Sequence, residues 1–376
     1  MGLLLHPYRV EFTTDAADSD LAICRGNPTP SNLDSATPVV MVPTWPRASR
    51  AEELKDNGNG IIDLPYDVIS ECSGKFESVL NPRVSLRYLV ATTLLSNYRK
   101  VPSAIRNRLL SVQKVDTDLS RHLTTERARK ILTDAVHLAG FHLQRKKPPA
   151  LVITHDIDTE RGFQKAPLLK KVEEDLGVES TWFLPSDEFP ITGAIAAELK
   201  SRSVIGSHDI RHDGKLIHID SHTELVRRLA ESKVCLERIF DTGIECFRSP
   251  LLQFSGRILS GLNEAGYKHD FSLPCWEPMH PTTMGGFGIE CTCTFSIDGI
   301  IEHPLTLFQD HQAFTVLRLN TRQTIKLWIK QAKLIRELSG DIVALVHPDY
   351  LFSQDIEGYR TLLTSLLEIH NSVSES

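Results

Sequence analysis

The sequence has no apolar stretch long enough to cross a bilayer, and its amino terminus lacks the basic start and apolar run of a signal peptide. It also lacks an excess of positive charge, because its 376 residues carry a net charge of -6, which disfavours nucleic acid as a general partner. The seven cysteines are an odd number and are scattered, which favours free thiols in a reducing compartment over a disulfide framework. These absences predict a cytoplasmic protein that binds neither nucleic acid nor a membrane.

Two widespread catalytic motifs are also missing: there is no Gly-x-Ser-x-Gly elbow and no glycine-rich loop that cradles phosphate. Residues 55–63 resemble the start of a calcium loop, but Lys55 and Tyr66 stand where its first and last carboxylate ligands are needed. The segment therefore indicates a turn rich in Asn and Gly. Cys291 and Cys293 have one residue between them and no matching second pair, which favours buried thiols over half a metal site.

The chain changes character near residue 147. Residues 1–147 combine apolar strand candidates at 21–24 and 39–42 with helical periodicity over 82–110 and again after Thr124. The run Lys-Lys-Pro-Pro at 146–149 interrupts this pattern, and we place a domain boundary between residues 147 and 148. The sequence thus predicts a smaller α/β domain at residues 1–147, for which it indicates no role.

Residues 148–376 alternate between strand and helix patterns. The strand candidates are 151–156, 180–184, 204–207, 245–248, 269–273, 299–302 and 342–346, and helical patterns lie at 164–176, 187–200, 221–240, 255–265 and 321–338. Such alternation predicts parallel strands joined by helical crossovers. Seven strands of this kind predict an α/β fold of the irregular (β/α)7 barrel type, with its site at the carboxyl ends of the strands.

The strand candidate at 151–156 leads into two acids, Asp156 and Asp158, two residues apart. Residues at this spacing on a strand point to the same face, and burying two acids there is costly unless they have partners. About 50 residues later, His208 and His212 have the spacing of a chelating pair. Two histidines and a carboxylate form a facial metal set that leaves coordination positions open. The alternatives for these residues are a helix cap or ion pair for the acids and surface positions for the histidines.

Five segments together resemble the NodB-type polysaccharide deacetylases (carbohydrate esterase family 4), including variants whose first motif is Asp-x-Asp. In chain order they are Thr-His-Asp-Ile-Asp at 154–158, His-x-x-x-His at 208–212, Arg-Ser-Pro at 248–250, Asp-Phe-Ser at 270–272 and Leu-Val-His at 345–347. The resemblance covers about 60% of the chain, from residue 149 or so to the end. It implies a NodB-like barrel that hydrolyses carbon–nitrogen amide bonds.

The resemblance also implies a role for each matching residue. Asp156 corresponds to the general base, and Asp158, His208 and His212 correspond to the ligands of a divalent metal. Since Ile157 separates two acids that are usually adjacent in the family, the division of roles between Asp156 and Asp158 stays open. Zinc is the default metal, although two histidines and a carboxylate also suit iron, cobalt or nickel.

Three further residues receive roles from the resemblance. Arg248 corresponds to the arginine that orients the base, Asp270 to the acid that supports the acid/base network, and His347 to the general acid. Leu251 and Leu252 stand where the family usually has an aromatic residue and a glycine, although the backbone N–H of Leu251 remains a candidate donor to an oxyanion. Two more residues, Trp276 and Glu302, are candidates for the pocket wall and its support, with core packing and surface pairing as the alternatives.

The reaction that follows from these roles is removal of an acetyl group from an N-acetyl sugar or glycoconjugate. The missing aromatic residue after Pro250 favours a second hypothesis, hydrolysis of a small cyclic amide or ureide on the same barrel. A third hypothesis is a non-catalytic protein that contains a metal and binds a ligand. The expected partner is a carbohydrate or a small amide, and the sequence does not indicate an oligomeric state.

Overall fold

The computed structural model describes residues 5, 21–25, 38–42, 54–56, 61–82, 116–143, 145–277 and 288–372. Beyond its first residue, the helical stretch predicted over 82–110 lies outside these residues. The chain divides into two compact units, one from residues 1–77 and 123–148 and the other from residues 78–122 and 149–376. None of the described helices is both long enough and apolar enough to cross a membrane.

The first unit contains a four-stranded sheet in the order β1-β2-β4-β3. Its elements are β1 (Ala22–Arg25), β2 (Val39–Val42), β3 (Lys55–Asp56), β4 (Ile61–Asp63), most of α1 (Val68–Leu80) and α2 (Thr124–Leu138). Neighbouring strands are parallel except β3 and β4. All four side chains of β2 are buried, as is typical of a strand covered on both faces. The strands expected at 21–24 and 39–42 and the helix expected after Thr124 are present.

The second unit is built on an eight-stranded sheet in the order β10-β11-β9-β8-β7-β6-β5-β12. The strands are β5 (Leu151–Asp156), β6 (Ser180–Leu184), β7 (Val204–Ser207), β8 (Cys246–Phe247), β9 (His269–Asp270), β10 (Phe295–Ile297), β11 (Ile300–Glu302) and β12 (Ile342–Leu345). Seven of these strands pair in parallel, and the eighth, β10, pairs with β11 in the antiparallel direction. The seven parallel strands are those expected from the sequence, and the predicted barrel-type α/β fold is confirmed.

Among the described residues, the second unit contains seven helices. They are α3 (Glu160–Leu176), α4 (Gly193–Lys200), α5 (His222–Phe240), α6 (Gly256–Glu264), α7 (Asp310–Thr315), α8 (Thr321–Glu337) and α9 (Ile356–Asn371), with 3-10 turns at Leu119–Arg121, Leu216–His218, Pro250–Leu252 and Leu351–Ser353. Helix α4 begins six residues later than expected, because Pro190 disfavours helical backbone at the residue before it. The sequence analysis missed α7 and α9.

The alternation of β5 decides what lies on each side of the sheet. Thr154 and Asp156 share one face, where the Arg248 guanidinium donates hydrogen bonds to both side chains. The guanidinium carbon also lies 4.6 Å from the ring centre of Phe183. His155 points to the opposite face, toward α3 and α9. The strand thus presents its first acid to the barrel interior and buries a histidine beneath the helices.

Candidate metal centre and active site

Three predicted metal ligands meet at the carboxyl ends of β5 and β7. The Oδ1 atom of Asp158 lies 3.5 Å from Nε2 of His208 and 3.5 Å from Nε2 of His212. One ligand atom from each of the three residues lies within 4.8 Å of the other two. The structure therefore brings Asp158 together with two histidines that lie 50 or more positions later in the sequence.

The two histidines converge through an irregular loop. Asp209, directly after His208, adopts a left-handed backbone with φ of 66°, and Gly214 does so with φ of 64°. The Arg228 side chain of α5 holds this loop, because it contacts the carboxylates of Asp209 at 2.7 Å and Asp213 at 2.8 Å. Sequence reasoning missed Arg228, which carries no recognisable local signal of this role.

The chemistry of these side chains fits a divalent cation. His208 Nδ1 lies 2.8 Å from the carbonyl oxygen of Arg248, so this nitrogen carries a hydrogen and Nε2, which faces Asp158, is the nitrogen that can bind a metal. Within the described residues, His208 Nε2 and Asp158 Oδ1 are both buried without a hydrogen-bond partner. Such buried polar atoms are costly, and a cation between them would satisfy both. Burial raises the pKa of Asp158, but His212, His208 and His347 lower it well below its usual range.

Asp156 lies beside this centre and is held by Arg248. Arg248 Nη1 donates to Asp156 Oδ1 at 2.9 Å and to Thr154 Oγ1 at 2.8 Å, and its Nε donates to the carbonyl of Phe271. Burial raises the pKa of Asp156, but the charges of Arg248, His208 and His347 together outweigh burial and keep the carboxylate ionised. Its free oxygen, Oδ2, lies 3.9 Å from His208 Nε2. The predicted contact between Arg248 and the proposed base is therefore present.

His347 approaches the same centre from β12. Its Nε2 lies 4.0 Å from Asp156 Oδ2 and 4.0 Å from Asp158 Oδ2. Asp310, the first residue of α7, accepts a hydrogen bond from His347 Nδ1 at 2.6 Å and another from its backbone N–H at 2.8 Å. Burial lowers the pKa of His347, but Asp310, together with Asp158 and Asp156, outweighs burial and raises the pKa to about 10. Sequence reasoning missed Asp310, because an acid at a helix start ordinarily indicates capping.

Two further rings surround His347. Its ring centre is 5.4 Å from that of His311 and 5.5 Å from that of Tyr350. Asp310, His311 and His347 also place one potential ligand atom each within 4.8 Å of the others. The 2.6 Å separation between Asp310 and His347 is that of a strong hydrogen bond, so a shared proton explains it without a second cation. His311 and Tyr350 were not identified from the sequence.

Asp270, the acid expected to support the acid/base network, is fully buried at the end of β9. Its Oδ1 accepts from Ser272 Oγ at 2.5 Å, and it forms a carboxyl pair with Glu302. Asp270 Oδ2 and Glu302 Oε2 are buried and receive no hydrogen from another described group. Two carboxylates cannot donate to each other, so the pair must share a proton. Burial raises the pKa of Asp270 to about 6, and burial with the Asp270 charge raises the pKa of Glu302 well above its usual value.

This carboxyl pair predicts how stability depends on pH. The folded protein holds a proton that the unfolded chain releases at lower pH, so the free energy of unfolding should fall as pH rises from about 4 through about 6. Glu302→Gln places a permanent donor beside Asp270. In urea titrations of the metal-free protein, it should remove on the order of 1–3 kcal/mol of that decline.

The exposed acid Glu231 on α5 offers a matched control, because Glu231→Gln removes a carboxyl group at the surface. This variant should keep the pH slope of the native sequence. An identical slope in Glu302→Gln would show that Asp270 and Glu302 share no proton.

The candidate pocket residues take different positions. Leu251 and Leu252 have left-handed backbones, with φ of 60° and 52°, directly after Arg248-Ser249-Pro250. Such conformations cost on the order of 1–3 kcal/mol per residue outside glycine and concentrate at functional sites. Trp276 stacks on His122, with 3.6 Å between ring centres, and Glu302 is buried in the carboxyl pair.

No protein-family model matches the chain, and no curated protein matches it. The solved structures that are similar to it include proteins of carbohydrate esterase family 4 and polysaccharide deacetylases. A candidate polysaccharide deacetylase from Mycobacterium smegmatis is 16% identical, with a TM-score of 0.49 over 60% of this chain and 85% of that one. A family 4 carbohydrate esterase from Streptomyces lividans is 12% identical, with a TM-score of 0.36 over 59% and 90%. A mutant of a family 4 pseudoenzyme, with restored activity, is 14% identical, with a TM-score of 0.41 over 60% and 65%.

Proposed function

We propose that this protein is a metal-dependent hydrolase of amide bonds that removes acetyl groups from an N-acetyl sugar or glycoconjugate. One observation carries the proposal. Asp158, His208 and His212 form a cation site, and the Asp156–Arg248 pair and the His347–Asp310 pair both face it within about 4 Å. A ligand set with an ionised base and a protonated acid beside it has the groups that amide hydrolysis requires.

The proposed base is Asp156. Arg248 occupies Oδ1 and leaves Oδ2 as the proton acceptor, while the rigid guanidinium keeps the carboxylate aimed at the centre. A water molecule between Asp156 Oδ2 and the substrate carbonyl would give its proton to Oδ2 as it attacks. A divalent ion held by Asp158, His208 and His212 would supply Lewis acidity at this position.

The proposed acid is His347. Asp310 accepts from Nδ1, so the ring is held as an imidazolium with its Nε2 hydrogen directed at the centre. When the tetrahedral intermediate collapses, the leaving nitrogen takes this hydrogen and departs as an amine. The backbone N–H of Leu251, on the strained turn after Arg248, is our candidate for a further donor to the developing oxyanion.

A second candidate function, hydrolysis of a small cyclic amide or ureide, is favoured by the turn after Arg248. Leu251 places an apolar side chain against Gly214, at the end of the His208–His212 loop, where a sugar ring would need a stacking surface. Assays of acetate release from N-acetylated sugars, run beside ring opening of cyclic amides and ureides, separate the two functions. A non-catalytic ligand-binding role would require neither an ionised base nor a protonated acid beside the ligands.

Metal content tests the ligand set independently of substrate. We expect Asp158→Asn or His208→Gln to lower the metal bound per chain, measured by elemental analysis, by at least about 10-fold at limiting metal. His222→Gln is the matched control, because His222 pairs with Glu264 on the surface. Full metal occupancy in both ligand variants would contradict the proposed centre.

A further inference from the structure

A second polar cluster lies on the helix side of β5, opposite Asp156. His155 is fully buried there, and its ring stacks on Trp182 with 3.8 Å between ring centres. Its Nδ1 lies 2.9 Å from the carbonyl oxygen of Val346, and its Nε2 lies 2.6 Å from Glu173 Oε1. The ring of His155 on β5 therefore contacts Glu173 on α3 and Val346, the residue that follows β12.

Glu173 accepts hydrogen bonds from two further side chains. Tyr359 donates its hydroxyl hydrogen to Oε1 at 2.6 Å. Ser180 Oγ accepts from Trp182 Nε1 at 2.8 Å, so its own hydrogen goes to Glu173 Oε2, which lies 2.5 Å away. Burial raises the pKa of Glu173, but His155 and these hydrogen bonds outweigh it and lower the pKa.

The Val346 carbonyl decides the orientation of the His155 ring. A carbonyl can only accept a hydrogen bond, so Nδ1 must carry a hydrogen. Nε2 then faces Glu173 Oε1, which holds the ring from its other side. His155 is thus tied to the end of one strand through Nδ1 and to α3 through Nε2.

We propose that His155 is a positioning residue whose Nδ1–H fixes the carboxyl end of β5 against that of β12. His155 directly precedes Asp156, and Val346 directly precedes His347. Side chains of neighbouring strand residues point to opposite faces, so a bond between His155 and Val346 on the helix side sets where Asp156 and His347 lie on the other. The catalytic consequence rests on the proposed function, whereas the hydrogen bond from His155 to Val346 does not.

The hydrogen bond between His155 and Val346 lies just beyond the last residue pair of β5 and β12. The last residue pair between the two strands is Leu345 with Thr154, and the N–H of Val346 donates to the Thr154 carbonyl at 2.9 Å. The carbonyl of Val346 lies beyond that pair, and His155 supplies its donor. The 4.0 Å separation between Asp156 Oδ2 and His347 Nε2 is therefore held from behind by a side chain that does not face the substrate.

The hydrogen bond can be tested without any substrate. In a long-range proton–nitrogen NMR spectrum of protein labelled with 15N-histidine, Nδ1 of His155 should carry a hydrogen. Glu173→Gln changes the partner of Nε2, so the His155 signal should shift, which assigns it. A His155 ring without a hydrogen on Nδ1 in the unsubstituted protein would overturn the proposal, whether or not the protein is a hydrolase.

The positioning role is tested with a substrate. His155→Phe keeps a ring on Trp182 and removes both hydrogen bonds, so kcat should fall about 10- to 100-fold while KM and metal content stay within about 2-fold. Glu173→Gln keeps the bond to Val346, so its kcat should stay within about 3-fold. Lys170→Met is the matched control, since Lys170 is buried on the same helix and donates to the Arg202 carbonyl instead.

A folded His155→Phe variant with unchanged kcat would refute the positioning role. If that variant does not fold, the NMR spectrum of the unsubstituted protein decides on the hydrogen bond to Val346, and the kcat of Glu173→Gln decides whether that bond positions the strand ends. A large fall of kcat in Glu173→Gln would mean that the bond to Val346 is not what positions the strand ends. If no amide is cleaved even by the unsubstituted protein, the proposed function fails while the hydrogen bond from His155 to Val346 stands or falls separately.

Discussion

Asp156→Asn should lower turnover by about 10²- to 10⁴-fold while the metal stays bound. The asparagine amide occupies the same space and can still pack beside Arg248, but it cannot accept a proton at the position of Oδ2. Because Asp156 is bonded to Arg248 and is not one of the three convergent ligands, the cation site should keep its occupancy. Acetate release and metal content measured on the same preparation check both halves of the expectation.

Two variants complete this experiment. Asp187→Asn is the control, because Asp187 is an exposed acid that pairs with Arg211 at the surface, and this variant should keep full turnover. Asp158→Asn should lose both metal and turnover. If instead Asp156→Asn loses metal while Asp158→Asn keeps it, the two acids have exchanged roles, which the Asp-x-Asp spacing leaves open.

His347→Gln should lower turnover by about 10²- to 10⁴-fold on amide substrates and much less on an activated ester. The reason is that an amine cannot leave without a proton, whereas a stabilised phenolate leaves without one. The measurement is kcat/KM for an N-acetylated sugar and for an aryl acetate, compared between the variant and the unsubstituted protein. An equal loss on both substrates would show that His347 does not act as the proton donor.

Asp310 extends the same test. It accepts both the ring N–H and the backbone N–H of His347, so Asp310→Asn should reduce the amide reaction in the same direction. The loss on the aryl acetate should again be the smaller one. A loss that is equal on both substrates in Asp310→Asn alone would indicate that Asp310 holds the loop without governing the proton on His347.

Much of the second unit could be predicted because its signals are local. Most of the parallel strands are short apolar runs with turn residues at their ends, and the long crossover helices show an apolar period near 3.6. The candidate site residues also gave local signals, since Asp156 and Asp158 are two residues apart where β5 ends and His208 and His212 lie in one loop. The carboxyl ends of parallel strands meet at one edge, so residue type and strand position together indicated the site.

The partners of those residues could not be predicted in the same way. Asp310 reaches His347 from 37 positions away, and Arg228 reaches Asp209 from 19. An acid at a helix start and an arginine on a helix face have ordinary local explanations, so nothing in their neighbourhood distinguishes them. The pairing of Asp270 with Glu302 on β11 likewise had no local signal.

Residue type and spacing along the chain therefore identified the chemistry, because a strand's period and a motif's order are properties of neighbouring residues. The protonation states were decided by the folded arrangement alone. The pKa of a histidine such as His347 rises only where carboxylates from other elements, Asp310 above all, face it, and a carboxyl such as Glu302 keeps a proton only where folding buries it against Asp270. Charge in a protein interior is set by the groups that surround it, and distant parts of the chain supply those groups.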